Sequence, residues 1–441
     1  MSKRSASRVW PFLVLAGQLY SGFQAKRNYQ TLPEIEPVIA EPMVQEKEFL
    51  GASIIVPARN EESNLPRLLA SLVRQDYPLY EIIVVDDAST DGTAAVVQGY
   101  HKDGVRLISI DGPPEGWTGK NHACWIGASY ARYPWLLFVD ADTELAPFAV
   151  RSTINFAMER DMHALSLFPQ QRCETFWERL LLPFAYQQYF VGTDARVNES
   201  EGPALGNGQY FLVHRVAYQH VDGHAASAGS IVDDAALALR LKQGGIIAFA
   251  CRGEGLVSVR MYTNFQQIAN GFGKNIYPYL QQSPFTGIQT ALSTALASSV
   301  ALLFIDARRE KSYTLFFIAL LAYSAQVLNA VPWLKHFGIT LWYALLTPFS
   351  ALIFLAIAIN SILHTIAGRS LAWKGRSYTT QQQGLSRWLL PQKPRTGRGT
   401  LSKTSYTFVK EQAHILAPLS ALLAICALLY SSVLLLYRRR R

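Results

Sequence analysis

Across residues 51–279 short apolar runs alternate with amphipathic stretches, the pattern of repeated β-α-β units around a mostly parallel sheet. The runs at 53–56, 81–85, 105–110 and 135–139 predict strands. Helices are predicted over 62–74, over 90–98 after the cap signal of Ser89, over 121–132, and over 233–243, where Gly244-Gly245 stops the last. The fold class is therefore α/β. Beyond residue 279 the pattern turns hydropathic. Segments 287–305, 313–334, 339–363 and 414–437 each have the length to cross a bilayer, the first being weakest because it is rich in Ala, Ser and Thr. At the other end, Lys3, Arg4 and Arg8 precede an apolar stretch at 9–23 with the charge order of a signal peptide but no small-x-small cleavage site. It reads as an uncleaved anchor; being short, with Gln18 and Ser21 inside, it suits an interfacial or tilted helix as well as a span.

Composition agrees with a domain plus membrane segments. Half of the 441 residues are apolar and only 17% are charged, against ~25% in soluble proteins. A disordered chain, a collagen-like chain and a wholly soluble enzyme are excluded. The net charge of +9 suggests nucleic acid until its distribution is read. Nine Lys/Arg and a single acid, Glu411, lie between His364 and Gln412, and Arg438, Arg439, Arg440 and Arg441 close the chain; setting these aside leaves 28 basic residues against 31 acidic. The basicity flanks apolar segments, where it orients a membrane protein or meets anionic lipid, and no nucleic-acid partner is expected. With a cytoplasmic 51–279 domain and four crossings, the nine-charge loop falls outside, against the positive-inside rule. An interfacial or re-entrant 287–305 returns it inside and is preferred here, with the last helix left open. The cysteines, Cys124, Cys173, Cys251 and Cys426, form neither a disulfide framework nor a zinc motif.

Three acidic clusters fall where open α/β sheets bind ligands, at strand ends or a helix start. Asp86-Asp87 ends an apolar run and enters Ala88-Ser89-Thr90-Asp91-Gly92-Thr93, leaving an acceptor in the crevice for a base N–H or ribose hydroxyls; Asp91 reads as a turn and cap residue. Asp140-Ala141-Asp142 follows another such run, and carboxylates at i and i+2 of an extended segment converge on one hard cation that can hold a diphosphate. Asp233-Asp234 opens a helix, where the dipole alone favours acids; two adjacent carboxyls also raise one another's pKa toward that of a general base. Between the first two clusters, Pro113-Pro114-Glu115-Gly116-Trp117-Thr118-Gly119-Lys120-Asn121 brings a lysine and free N–H groups to a helix start, which suits a phosphate although the spacing is not that of a P-loop.

Ile54-Ile55-Val56-Pro57-Ala58-Arg59-Asn60-Glu61-Glu62, Val85-Asp86-Asp87, Asp140-Ala141-Asp142 and Val232-Asp233-Asp234 together resemble the family 2 glycosyltransferases with a GT-A fold. Gly116-Trp117-Thr118-Gly119-Lys120, Phe176-Trp177-Glu178-Arg179, Gly206-Asn207-Gly208-Gln209 and Gly271-Phe272-Gly273-Lys274-Asn275 look most like the membrane-bound members associated with hopanoid and carotenoid glycosylation. Charge and hydropathy make residues 1–50 a membrane-associated anchor and linker, while the resemblance covers about Gly51 to Tyr279 and implies 51–280 as the GT-A domain. It is followed by apolar helices at 281–363, a basic cytoplasmic loop at 364–412 and a last helix with the Arg tail at 413–441. It implies Pro57, Arg59, Glu61, Asp86 and Asp87 against the nucleoside, Lys120 and Asn207 near the diphosphate or sugar, and Asp140 and Asp142 on the ribose and an Mg²⁺ or Mn²⁺ ion. Asp142 is the surer metal ligand. Asp234 takes the place of the family's base, with Asp233 where Glu is commoner.

The expected activity is inverting transfer from a nucleoside-diphosphate sugar, with a UDP-sugar first in line, to a hydroxyl of a membrane lipid such as a carotenoid or hopanoid. The expected location is the bacterial inner membrane, multi-pass, with the catalytic domain facing the cytoplasm. A polysaccharide synthase is disfavoured because no Q-x-x-R-W motif precedes the helices, and Gln383-Gly384-Leu385-Ser386-Arg387-Trp388 has one residue too many. A transferase acting on an isoprenoid phosphate shares every residue named; a non-catalytic scaffold should have lost an acidic cluster, and none is lost. Phe176, Trp177, Tyr186, Tyr189 and Phe190 lie on an amphipathic stretch that suits either the membrane interface or the core of a second layer.

Overall fold

The computed structural model describes residues 3–38, 50–282, 284–366, 371–373 and 376–378. The segment 414–437, most of the basic loop, the Gln383-to-Trp388 stretch and the arginine tail lie outside the described residues.

In chain order the elements are α1 (Lys3–Gln30), β1 (Ala52–Ala58), α2 (Leu65–Leu72), β2 (Tyr80–Asp87), α3 (Thr93–Gly99), β3 (Val105–Ile110), α4 (Gly119–Tyr130), β4 (Trp135–Val139), β5 (Thr143–Leu145), α5 (Ala149–Glu159), β6 (Ala164–Phe168) and β7 (Gln170–Gln171). Then come α6 (Phe176–Gly192), β8 (Tyr210–His214), α7 (Arg215–His220), α8 (Asp233–Gln243), β9 (Ala248–Arg252), β10 (Val257–Val259), α9 (Phe265–Gln282), α10 (Pro284–Glu310), α11 (Tyr313–His336), α12 (Thr347–Ile366) and a short hairpin of β11 (Leu371–Trp373) with β12 (Arg376–Tyr378).

Seven strands form one sheet in the order β3-β2-β1-β4-β8-β6-β9. All neighbours are parallel except β8, which runs antiparallel to both β4 and β6. This is the helix-flanked, mostly parallel sheet that the GT-A resemblance implies. Because β1 has β2 on one side and β4 on the other, the chain reverses its direction of advance there, and the crevice beyond the C-terminal ends of β1 and β4 is the natural ligand site. The sheet is hydrophobic on both faces: Ile54, Val56, Val84 and Leu137 pack into one core, Ile55, Ile83, Val85 and Phe138 into the other.

The predicted helix starts shift for identifiable reasons. Thr90 N–H donates to Asn60 Oδ1 (2.8 Å) and Asn60 N–H to Ser89 Oγ (2.9 Å), so the loop after β2 is tied to the loop after β1 and α3 begins only at Thr93. Asp91 Oδ1 accepts from Thr93 N–H at 3.0 Å, the turn role the sequence suggests. Helix α4 begins at Gly119, not 121, because Thr118 Oγ1 caps it by accepting from Asn121 N–H. Helix α8 starts at Asp233 as predicted.

Helix α6 joins the domain to the apolar helices. It opens with a capping box between Thr175 and Glu178, and its middle residues pack with Ala297, Leu334, Ala351 and Phe354. The aromatics of this stretch divide. Phe190 is fully buried, and Tyr186 stacks edge-on against Phe337 and Tyr189 against Phe190, all as core, whereas Phe176 and Trp177 remain exposed beside Tyr343 and Phe265. Glu178, with no exposed side-chain surface, takes Arg260 Nε at 3.0 Å and NH2 at 3.4 Å. Arg260 N–H in turn donates to the Asp142 carbonyl at 3.1 Å, so this ion pair connects α6 to the turn after β4. Glu178→Ala leaves Arg260 with only Glu174 (Nη1 to Oε2 2.7 Å) and removes the glutamate of the capping box, and should cost about 1–3 kcal/mol, read as a fall in denaturation midpoint of the detergent-solubilised chain.

Three helices, Gly287–Glu310, Tyr313–His336 and Leu341–Leu363, are long and apolar enough to cross a membrane, by length and composition. The weakest of the sequence segments, 287–305, thus stands with the other two. Helix α1, 28 residues rather than the short segment expected, lies against α11, α10 and α6. It turns Gln18, Ser21 and Asn28 inward, with Asn329 Nδ2 donating to the Gln18 carbonyl (2.7 Å), and Phe12, Leu13, Leu19 and Phe23 outward. The inward face thus mixes these polar residues with the buried Val14 and Ala25.

Candidate functional site

A cleft opens at the C-terminal ends of β1 and β4 and is lined by Pro57, Lys120, Cys124, Val139, Asp140, Gly208, His224, Asp233 and Asp234, among others. Each side chain reaches it for a local reason. Pro57 and Asp140 stand at the ends of buried strands, Lys120 in the first turn of α4, and Asp233 and Asp234 in the first turn of α8.

Lys120 sits between the acids. Its Nζ is 2.8 and 3.1 Å from the Asp140 carboxylate oxygens and 3.1 Å from Asp233 Oδ2. Burial disfavours its charge, but Asp140, Asp233 and Asp234 outweigh that and hold the ammonium well above the usual lysine range. The two adjacent aspartates separate in turn. Burial opposes ionisation of Asp233, yet Lys120 and His224 keep it below the ordinary carboxylate value; burial and the Asp233 charge push Asp234 up to about 6. Asp234 is fixed by Gly208 N–H on Oδ2 and Ala235 N–H on Oδ1, both at 2.7 Å. Gly208 brings its backbone close to the site: a Cβ there would stand 2.9 Å from Lys120 Nζ and 3.3 Å from Asp234 Cβ, so a side chain would displace the ammonium.

The starts of α4 and α8 are bound together. Asn121, fully buried, directs Nδ2 at the carbonyls of Ser227 (2.9 Å), Ala228 (3.1 Å) and Ser230 (2.8 Å), and Thr118 N–H donates to Ala228 O at 2.8 Å. The lysine and the base pair are therefore held as one unit.

Next to this cleft, β1 and β2 end side by side, with Ala58 opposite Asp86. Asp86 and Asp87 are buried; Asp86 Oδ1 accepts from Ser89 N–H at 3.2 Å. Arg59 donates to the carbonyls of Asp87 (2.6 Å) and Ala88 (3.1 Å), and Glu61 accepts from Asn64 Nδ2 at 2.7 Å. Asn207 is turned into its own loop, exchanging hydrogen bonds with Gln209, and its neighbour Gly208 lines the cleft instead. Asp142 lies on the turn after β4 whose carbonyl Arg260 holds.

Sequence reasoning missed Cys124 and His224. Cys124 could have been found, since it stands four residues after Lys120 on one helix face. His224 follows no motif; buried, it is pushed down to about 4 by desolvation, and its Nδ1 shares a hydrogen with the Tyr218 hydroxyl at 2.9 Å. Among the described residues no group of three His, Cys, Asp or Glu is gathered to hold a metal ion. Of the two expected ligands, Asp140 lines the cleft with both oxygens toward Lys120, while Asp142 lies on the turn beyond it and outside that lining; their carboxylates have the donor chemistry of Mg²⁺ or Mn²⁺, which one or two acids commonly hold with phosphate oxygens and water.

Residues 53–221 match the family model described as "Glycosyl transferase family 2". A 4,4'-diaponeurosporenoate glycosyltransferase of Staphylococcus haemolyticus is 32% identical over 229 residues, 51% of this chain and 60% of that protein, so the match spans less than two thirds of the relative's length. A protein of the same name from Staphylococcus aureus is 28% identical over 75% of this chain and 89% of its own. A mannosyltransferase from Pyrobaculum calidifontis, solved with GDP-Man and Mn²⁺, aligns over 82% of this chain and 98% of its own with a TM-score of 0.49 and 17% identity.

Proposed function

Residues 53–221 are a glycosyltransferase family 2 domain, and from that premise we propose that the chain moves a sugar from a nucleoside-diphosphate sugar to a hydroxyl of a membrane lipid, with Asp234 as general base. The observation that carries the reading is the convergence of Lys120, Asp140, Asp233 and Asp234 at the ends of β1 and β4.

The nucleoside lies along Pro57, Arg59, Glu61, Asp86 and Asp87, with a UDP-sugar the first donor to test. A divalent cation on Asp142 and Asp140, when bound, neutralises charge on the departing diphosphate. Lys120 adds a second positive charge beside it. Asp234, held by the N–H groups of Gly208 and Ala235, accepts the proton of the acceptor hydroxyl as its oxygen attacks the anomeric carbon. Asp233 stays ionised and keeps its neighbour's affinity for a proton raised. One base without a second nucleophile gives a single displacement and inversion.

The acceptor class follows from setting. Apolar helices continue directly from the domain, and the exposed Phe176 and Trp177 sit where the two meet. The staphylococcal relatives are named for a carotenoid, which favours a long isoprenoid acceptor, with the chain in a bacterial cytoplasmic membrane and its catalytic domain on the cytoplasmic side. That name also favours a second reading, a carboxylate acceptor. Such an acceptor arrives deprotonated and leaves Asp234 no proton to take.

The test of the displacement is the anomeric configuration of the glycolipid product, read by NMR from a donor of known configuration. Inversion is expected; retention would remove Asp234 from the role of sole base.

A further inference from the structure

We propose that Lys120 is a built-in counter-cation that holds Asp140 and Asp233 until a cation and a diphosphate arrive, so that the two ligands bind interdependently. The inference rests on the reading of Asp140 and Asp142 as the cation site.

Three observations support it. The ammonium is in contact with carboxylates from two different elements, Asp140 after β4 and Asp233 at the start of α8. The ammonium lies close to the Gly208 backbone, where a Cβ would stand 2.9 Å from Nζ, and Asn121 and Thr118 fix the helix turn that carries the lysine. The lysine is half-buried on a flexible stem, with side-chain exposure of 35%, so Nζ can move without the backbone following.

The consequence is electrostatic competition. A hard cation needs oxygen lone pairs on Asp140 that now face Lys120, and a dication placed beside an ammonium is repelled by it. Cation binding alone therefore works against the Lys120–Asp140 pair. A diphosphate changes the balance, because it offers Lys120 a new anionic partner while supplying the cation with further oxygens. Each ligand then raises the other's affinity by the same factor.

The experiment is Mn²⁺ binding to the full-length detergent-solubilised chain, followed by the EPR signal of free Mn²⁺, with and without UDP or GDP, beside Lys120→Met and Lys120→Gln. Thermal unfolding verifies that each protein is folded, and two neutral variants guard against one failing to fold. Wild type should bind Mn²⁺ weakly alone and about tenfold or more tightly with nucleoside diphosphate. Either variant should bind Mn²⁺ alone about tenfold more tightly than wild type and lose most of the nucleotide's effect. Variants that bind Mn²⁺ no more tightly than wild type, with the nucleotide's effect intact, overturn the counter-cation role and leave the cation site standing. Absence of Mn²⁺ binding in every protein even with nucleotide overturns the cation site itself, and this inference with it.

Discussion

Asp234→Asn is expected to lower kcat by about 10²–10⁴-fold while nucleotide binding changes little, because it removes the proton acceptor and keeps an oxygen for Gly208 N–H. The same assignment fixes a pH profile. With Asp234 pushed up to about 6, wild-type turnover should fall about tenfold per unit below pH 6 and level off above it, and the Asn variant should lack that limb. A carboxylate acceptor predicts the opposite, a variant that keeps most of its activity. Stability should move the other way from activity. A carboxyl whose folded pKa lies above its unfolded value favours the protonated native state, so the cost of ionising Asp234 is absent at pH 4, grows through pH 6 and is complete above. The Asn amide accepts from only one of Gly208 N–H and Ala235 N–H, so the variant is read by its pH dependence: relative to it, wild type should lose about 1 kcal/mol between pH 4 and pH 8, after allowance for solvent access, measured by denaturant unfolding at the two pH values.

Asp142→Asn is expected to have the second largest effect. It replaces a carboxylate of the cation site without touching the Asp142 carbonyl that Arg260 holds, so the fold should survive. The Mn²⁺ concentration for half-maximal transfer should rise tenfold or more, and kcat/KM at fixed Mn²⁺ should fall about 10²-fold. A Mn²⁺ titration of transfer by variant and wild type reads both. An unchanged titration would place the cation elsewhere.

What was legible in the sequence follows burial. Strands β1, β2 and β4 stand out because each carries an unbroken apolar run, as central parallel strands must, whereas β3 at the sheet edge interposes Arg106 and Ser109; two of the acidic clusters fall at the ends of such strands and the third at the start of α8. The antiparallel β8 was not predicted although Asn207-Gly208 is a turn signal just ahead of it, because Tyr210–His214 is a short apolar run that periodicity alone does not assign to a strand. Helix α6 was read only as an amphipathic stretch, and its division into exposed Phe176 and Trp177 and buried Phe190 depends on distant partners, Tyr29 of α1 and Trp333 of α11 covering Phe190. Within the site, residue types were legible and contacts were not. Lys120 was placed with a phosphate because it opens a helix; that it bridges Asp140 to Asp233 comes from the β-sheet order, which brings α4 and α8 to the same crevice. The place of Gly208 needed the same knowledge, because the atoms that a side chain there would press on belong to Lys120 and Asp234.

The most direct test of the account is radiolabel transfer by the purified full-length chain from a panel of UDP- and GDP-sugars into a bacterial lipid extract, with and without Mn²⁺, beside Asp234→Asn. The account predicts label in the organic phase from one donor, dependent on Mn²⁺ and lost in the variant. Folded protein that moves no label from any donor into lipid, or moves it equally well without Asp234, would contradict it.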